Sequence, residues 1–182
     1  MNEAVLHMKQ KKRAMRSYVL LIYELVLESK PDYVLEIGTG QCQSARTILG
    51  ALSDNKKGKL VSIDLRDKRY KIPDDLKSYF HQIIGNSHTE DIFNKVKEQF
   101  NKPIDILFID GDHKYCGVKK DFEMYVPLVK KGGLILMHDT CNNREGVKDF
   151  WKEIKYPKVN LEYGTAAYDI VPGLGIIQKN NE

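Results

Sequence analysis

The amino-acid sequence predicts a doubly wound α/β domain, a mostly parallel sheet with helices on both faces. Three observations carry this. Short apolar runs suited to buried strands recur along the chain, helical segments of about ten to fifteen residues separate most of them, and the last two runs have no helix between them. Strands joined through helices imply right-handed crossovers and a parallel sheet. Two successive strands without a helix imply an antiparallel pair at one edge.

The elements follow in order. Residues 1–30 read as a helical extension ahead of the domain proper, 31–182. Met15, Tyr18, Ile22 and Leu25 recur at helical spacing there, and Pro31 stops the helix. Its basic stretch KQKKRAMR (9–16) reads as the solvated face of an amphipathic helix. YVLEI (33–37) is the first strand, emptying into GTGQCQS, and SARTILGALS (44–53) is helical. KLVSID (59–64) is the second strand, followed by a polar segment with a short helix around PDDLKSYF. HQIIG (81–85) is the third strand, and TEDIFNKVKEQF (89–100) a helix that Thr89 can cap. IDILFID (104–110) is the fourth strand, and YCGVKKDFEMYVPLV (115–129) is mostly helical. The turn KKGG leads into the fifth strand, LILMH (134–138). REGVKDFWKEIK (144–155) is a helix with Val147, Phe150, Trp151 and Ile154 on one side. KVNLEY and GLGIIQK are the last two strands, joined by a loop carrying Pro172 and Gly173.

A chain of 182 residues is large enough for one domain with a substantial core. Its 42% hydrophobic and 30% charged residues are those of an ordinary soluble protein. A net charge of +4 is too mild to mark the concentrated basic face that nucleic acid requires. Cys42, Cys116 and Cys141 form no C-x-x-C pair, which argues against a disulfide framework or a zinc site and fits a reducing cytoplasm. The apolar run from Tyr18 to Leu27 contains Glu24 and is too short to span a bilayer. No small-residue cleavage site follows it, so neither a membrane span nor a signal peptide is expected.

In an open α/β sheet, ligands bind outside the carboxyl ends of the strands, where strand order reverses. Those ends are rich in polar groups here: Glu36 to Gly40 after the first strand, Asp64 after the second, and Gly85-Asn86-Ser87 after the third. The fourth delivers Asp110-Gly111-Asp112-His113 and the fifth His138-Asp139-Thr140. Gly38 and Gly40 permit a tight turn, but Gln43 stands where a dinucleotide fingerprint has its third glycine. Glu36 would repel a pyrophosphate and suits an ammonium or sulfonium. Asp64 can accept hydrogen bonds from ribose hydroxyls. Asn86 and Ser87 stand where an adenine edge can be read, although Ser87 can equally cap the following helix. Asp112 reads as the cap of the helix beginning near Lys114.

The stretches VLEIGTGQCQSA, VSID and IDILFIDGDHKYCGVKKDFEMYVPLVKKGGLILMHDT together resemble class I S-adenosylmethionine-dependent methyltransferases. The closer likeness is to the compact group with cephalosporin-hydroxylase-like and macrolide-sugar O-methyltransferases. The catechol and caffeoyl-CoA type O-methyltransferases are more distant. The resemblance runs from about Pro31 to Lys179. It implies a Rossmann-like seven-stranded sheet of order 3-2-1-4-5-7-6 with the last strand antiparallel. It also implies S-adenosyl-L-methionine as cofactor, held by Glu36, Gly38, Thr39, Gly40, Ser44, Asp64, Leu65, Asn86, Ser87 and Asp110. Asp110 and Asp139 match positions that bind a divalent metal in metal-dependent members, and His113 matches a proposed general base. Cys42 stands where the cofactor motif often has glycine. His138 stands beside Asp139 where relatives supply oxygen ligands, so its participation would favour Mn, Fe or Zn over Mg.

The expected chemistry is metal-assisted methylation of a small-molecule hydroxyl. Asp110, His138 and Asp139 are the candidate metal set, and His113 with Asp110 the candidate catalytic pair. A methyltransferase acting on RNA or protein is the alternative, disfavoured because IDGDHKY replaces the Pro-Pro-Tyr/Phe type of motif. An NAD-binding oxidoreductase is disfavoured by Glu36 and the missing glycine. A non-catalytic module would need none of the acidic rim. The N-terminal helix and the loop GTAAYDIVPG (164–173) are the expected lids, and a homodimer partner is a further candidate for completing the acceptor pocket.

Overall fold

The computed structural model describes residues 18–142, 146–162 and 172–180. Strands β1 (Tyr33–Ile37), β2 (Lys59–Asp64), β3 (Phe80–Ile84), β4 (Ile104–Ile109) and β5 (Val129–His138) pair in parallel. The sheet is completed by β6 (Lys158–Leu161) and β7 (Leu174–Gln178), with β7 antiparallel to both β5 and β6. The order is 3-2-1-4-5-7-6, as expected. Both end strands, β3 and β6, are short, which limits the unpaired edge they offer.

Alternate residues of the strands feed two cores. On one face α1 (Val19–Ser29) and α2 (Gln43–Asn55) bring Ile22, Val26, Ile48 and Leu52 to a core that includes Val34, Leu60, Phe108 and Leu136. On the other, α3 (Glu90–Lys97), α4 (Tyr115–Tyr125) and α5 (Val147–Glu153) bring Ile92, Val118, Phe122 and Trp151 to Leu35, Ile63, Leu107 and Ile135. Each such side chain contributes roughly 1.5–3 kcal/mol when fully buried. That explains why the inner strands are apolar on both sides.

Several elements differ from the sequence reading, each for a local reason. The buried stripe of α1 is Val19, Ile22, Tyr23 and Val26 with Tyr18, and Leu25 lies half-buried on its flank. Met15 and the basic stretch 9–16 lie outside the described residues, as do residues 164–171 of the expected lid. The helix expected through residue 129 ends at Tyr125 and tightens into a 3-10 turn, Val126–Leu128, because Pro127 has no N–H to continue it. KKGG is strand rather than turn. The Gly132 N–H donates to the Lys179 carbonyl (2.9 Å) and the Lys179 N–H to the Gly133 carbonyl (2.9 Å), so β5 already begins at Val129. Thr89 does precede α3, but its hydroxyl donates to the Asn86 carbonyl (3.0 Å) instead of capping the helix. Asp112 accepts from the N–H of Lys114 (3.0 Å), a turn just ahead of α4 and not a cap within it.

Candidate active site

The ends of β1 and β4 lie side by side where the strand order reverses. Gly38 makes that approach possible. Its φ is +91°, and a Cβ there would lie 2.0 Å from the Asp110 carbonyl oxygen. Cys42 adopts the left-handed φ of 60° at the start of α2, the conformation that glycine takes without strain, so this departure from the motif keeps the loop's turn.

Beneath the loop, Glu36 is wholly buried. Its carboxylate accepts hydrogen bonds from Ser44 Oγ at the start of α2 and from Ser62 Oγ on β2, directly across the register. Ser62 Oγ in turn lies 2.6 Å from Thr39 Oγ1. Burial pushes the Glu36 carboxyl up to about 7 against the pull of the two serines. Glu36, Thr39 and Ser44 therefore form a hydroxyl-lined buried bracket that shapes the loop, whereas Gly40 leaves open space around it.

Asp64 ties the tips of β1 and β2 together. Oδ2 accepts from the N–H of Gly40 and Oδ1 from the N–H of Arg66, both at 2.9 Å. Leu65 beside it is 71% exposed, a large apolar face at the crevice rim. At the tip of β3, Asn86 is exposed and its side chain accepts from the His88 N–H (3.0 Å). Ser87 neither caps α3 nor stands free: Oγ donates to Asp121 Oδ1 on α4 at 2.7 Å.

The tips of β4 and β5 bring two carboxylates and two imidazoles together. His113 Nε2 lies 3.3 Å from Asp110 Oδ1, and its Nδ1 lies 3.4 Å from Asp139 Oδ2. His138 Nδ1 lies 3.3 Å from Asp110 Oδ1 and 3.0 Å from Asp139 Oδ2. Burial alone would lift the Asp110 carboxyl. The charge of His138 and the hydrogen bonds from both histidines outweigh this and hold it below the ordinary range. Burial likewise opposes charge on His138, yet Asp110 and then Asp139 raise its pKa to about 10. The Tyr18 ring stands edge-on to His138 (6.2 Å, 81°), so α1 abuts this cluster from the core side.

One ligand atom each from Asp110, His113 and Asp139 lies within 4.8 Å of the others, a donor set that fits a divalent cation. This grouping exchanges the expected His138 for His113. Asp139 itself has φ +63°, a strained backbone that aims its side chain back over the strand ends. The Asn142 amide (3.4 Å) and the Gly173 carbonyl, which accepts from its N–H (3.1 Å), hold it there.

Ser62, Asp121 and Asn142 were missed by sequence reasoning. Ser62 had a signal, being the lone hydroxyl inside the apolar run of β2. Asp121 had one too: it shares the buried face of α4 with Val118, Phe122 and Tyr125. Asn142 had none.

This architecture, with a glycine turn, an acidic second strand tip and a polar switch-point crevice, defines an α/β enzyme of the cofactor-binding type. Residues 35–140 match a family model described as a methyltransferase domain, and the chain belongs to that family. Among curated proteins it is similar to the uncharacterized protein R132 of Acanthamoeba polyphaga mimivirus, 40% identical over 74 residues. That match covers 41% of this chain and 30% of the relative, so less than a third of the relative's length is represented here.

Among solved structures, the Bacillus cereus O-methyltransferase in complex with SAH superposes with a TM-score of 0.73 at 16% identity, covering 99% of this chain and 92% of that one. The O-methyltransferase TomG of Streptomyces achromogenes, solved with SAM, gives 0.72 at 17%, covering 100% and 91%. MycE of the mycinamycin pathway, solved with Mg, SAH and mycinamycin VI, gives 0.65 at 17%, covering 99% of this chain and 54% of that one. At these identities the likeness is one of fold. Among the described residues no helix is long and apolar enough to cross a membrane.

Proposed function

We propose that this methyltransferase transfers the methyl group of S-adenosylmethionine to a hydroxyl of a small molecule, assisted by a divalent cation held by Asp110 and Asp139. The observation that carries the reading is the cluster at the β4 and β5 tips, two carboxylates and His113 converging at the switch-point crevice. Solved O-methyltransferases of the same fold, and MycE with Mg, SAH and mycinamycin VI, add support.

The cofactor's ribose is assigned to Asp64, whose carboxylate keeps lone pairs beyond the two backbone N–H groups it accepts. Its adenine is assigned to the side of Leu65, Asn86 and Ser87, and its methionine part to the loop Gly38–Gly40 above the Glu36 bracket. The exposed face of Leu65 gives the base an apolar surface to lie on. Asp110 and Asp139 would hold the divalent ion, which would supply Lewis acidity that lowers the pKa of the acceptor hydroxyl. His138 orients both carboxylates from the protein side. His113, more exposed than His138, takes the hydroxyl proton, and the two carboxylates flanking its ring favour the imidazolium that forms. In-line attack by the hydroxyl oxygen would form the O–C bond as the S–C bond of the sulfonium breaks, leaving S-adenosylhomocysteine as the thioether product.

The close grouping of His113 with both carboxylates supports a second reading, in which His113 is the third metal ligand. The two roles separate in one experiment. Mn²⁺ affinity and turnover are measured for His113→Ala with a panel of hydroxylated acceptors. Retained Mn²⁺ affinity with lost turnover supports the base. Lost Mn²⁺ affinity supports the ligand. Absence of S-adenosylmethionine binding in the unmodified protein would overturn the whole assignment.

A further inference from the structure

We propose that Asp121 sets the base preference of the cofactor site by fixing the Ser87 hydroxyl as a hydrogen-bond acceptor toward the ligand. The inference rests on the reading of Ser87 as an adenine-side residue and assigns a positioning role to a helix residue outside that set.

A serine hydroxyl has one proton and two lone pairs, so what it can recognise depends on where the proton goes. Here it goes to Asp121 Oδ1 at 2.7 Å. His88 Nε2 stands 3.1 Å from the same oxygen. Even a carboxyl that has bound a proton on its other oxygen, beside Gly111, would keep Oδ1 as the acceptor of the serine proton. The arrangement is rigid on the protein side. Asp121 is wholly buried on α4, and one turn further on Tyr125 Oη donates to the Ser87 carbonyl at 2.8 Å. Ser87 is thus held at both its hydroxyl and its backbone by one helix, while its residue remains partly open to the crevice.

Only lone pairs are left to face a ligand. An exocyclic amino group, as on adenine, donates to them. The carbonyl oxygen that hypoxanthine carries at the same position would put two acceptors face to face, leaving both without a partner. Removing the carboxylate releases the serine proton, and the hydroxyl can then serve either base. Asp121→Ala removes the acceptor outright, and Asp121→Asn replaces an acceptor-only carboxylate with an amide whose nitrogen can donate to Ser87.

The test is calorimetric binding of S-adenosylhomocysteine and S-inosylhomocysteine to the full chain and to Ser87→Ala, Asp121→Asn and Asp121→Ala, each first checked for a cooperative melt. The parent protein is expected to prefer the adenosyl ligand by about tenfold or more. Ser87→Ala and the folded Asp121 variants are expected to narrow that ratio several-fold, chiefly by improved binding of the inosyl ligand in the Asp121 variants. If Ser87→Ala narrows the ratio but both Asp121 variants keep it, the relay is overturned while the adenine-side reading stands. If Ser87→Ala also keeps it, Ser87 does not read the base, and both fail. If neither ligand binds the parent protein, the cofactor assignment itself falls.

Discussion

The two sides of the crevice bury carboxylates in opposite ways. At the β1–β2 side, Glu36 is enclosed by serine and threonine hydroxyls, groups without charge, and burial raises its pKa to about 7. At the β4–β5 side, Asp110 and Asp139 face two imidazoles, and Asp110 is pushed below the ordinary range. Neutral donors satisfy a buried acid without favouring its charge as strongly as a cation does. The first arrangement makes a rigid bracket under a loop. The second keeps ionised oxygens available at a partly open rim, as metal binding or proton transfer requires.

The substitution with the largest expected effect joins the two sides. Gly38→Ala places a methyl group against the Asp110 carbonyl and imposes an unfavourable positive φ, so it should cost about 3 kcal/mol or more. That predicts a melting temperature lower by roughly 6–12 °C and loss of both cofactor and metal binding. A wild-type melt would mean that the two sides are not pressed together as described.

Acting on the β4–β5 side alone, His113→Ala should lower turnover by about 10²–10⁴-fold if His113 is the base, with S-adenosylhomocysteine affinity unchanged by calorimetry. A loss of affinity instead would show that the two sides are not separable.

The pH dependence of stability sharpens the contrast further. Glu36 has a folded pKa above its ordinary 4.5, so the native state holds a proton that the unfolded chain has released. Stability therefore falls as pH rises from about 4.5 through 7, by an amount on the order of 3 kcal/mol, and then levels off. Glu36→Gln should flatten that fall and melt higher than the parent at pH 8. His138 has a folded pKa raised from 6.5 to about 10, so in EDTA-treated protein its contribution is full below about pH 6.5 and is lost as pH approaches 10. Melting curves that show a single pH window, or that Glu36→Gln leaves unaltered below pH 7, would contradict the division.

The smallest effect expected is from Asp64→Ala. It should weaken S-adenosylhomocysteine binding about tenfold, by loss of hydrogen bonds to the ribose, and loosen the Gly40 turn whose N–H it accepts. Affinity equal to that of the parent would place the ribose elsewhere.

Much of this is legible in the amino-acid sequence. The strand runs, the helices between them and the edge pair are local patterns of apolar spacing. Strand tips such as Gly38-Thr39-Gly40, Asp64 and Asp110 stand out because polar groups follow apolar runs there. What was not legible depended on partners distant in sequence. KKGG looks like a turn until Lys179 supplies its hydrogen bonds. Glu36 reads as a ligand-facing acid until Ser44 and Ser62 close over it. The buried face of α4 marks Asp121 as unusual but not what it holds, because Ser87 comes from another strand tip.

The amino-acid sequence by itself determined the α/β class, the order of elements and which strand ends carry polar chemistry. Periodicity and turn chemistry act between near neighbours, and a right-handed crossover leaves few topologies open. Only the tertiary structure decided the company each charged group keeps. His113 and His138 each lie across Asp110 and Asp139, and the contacts that join the β4 tip to the β5 tip, His113 to Asp139 and His138 to Asp110, span 3.4 and 3.3 Å between segments more than twenty residues apart in the chain. Those distances arise from packing the two faces of the sheet, and local propensity carries no information about them.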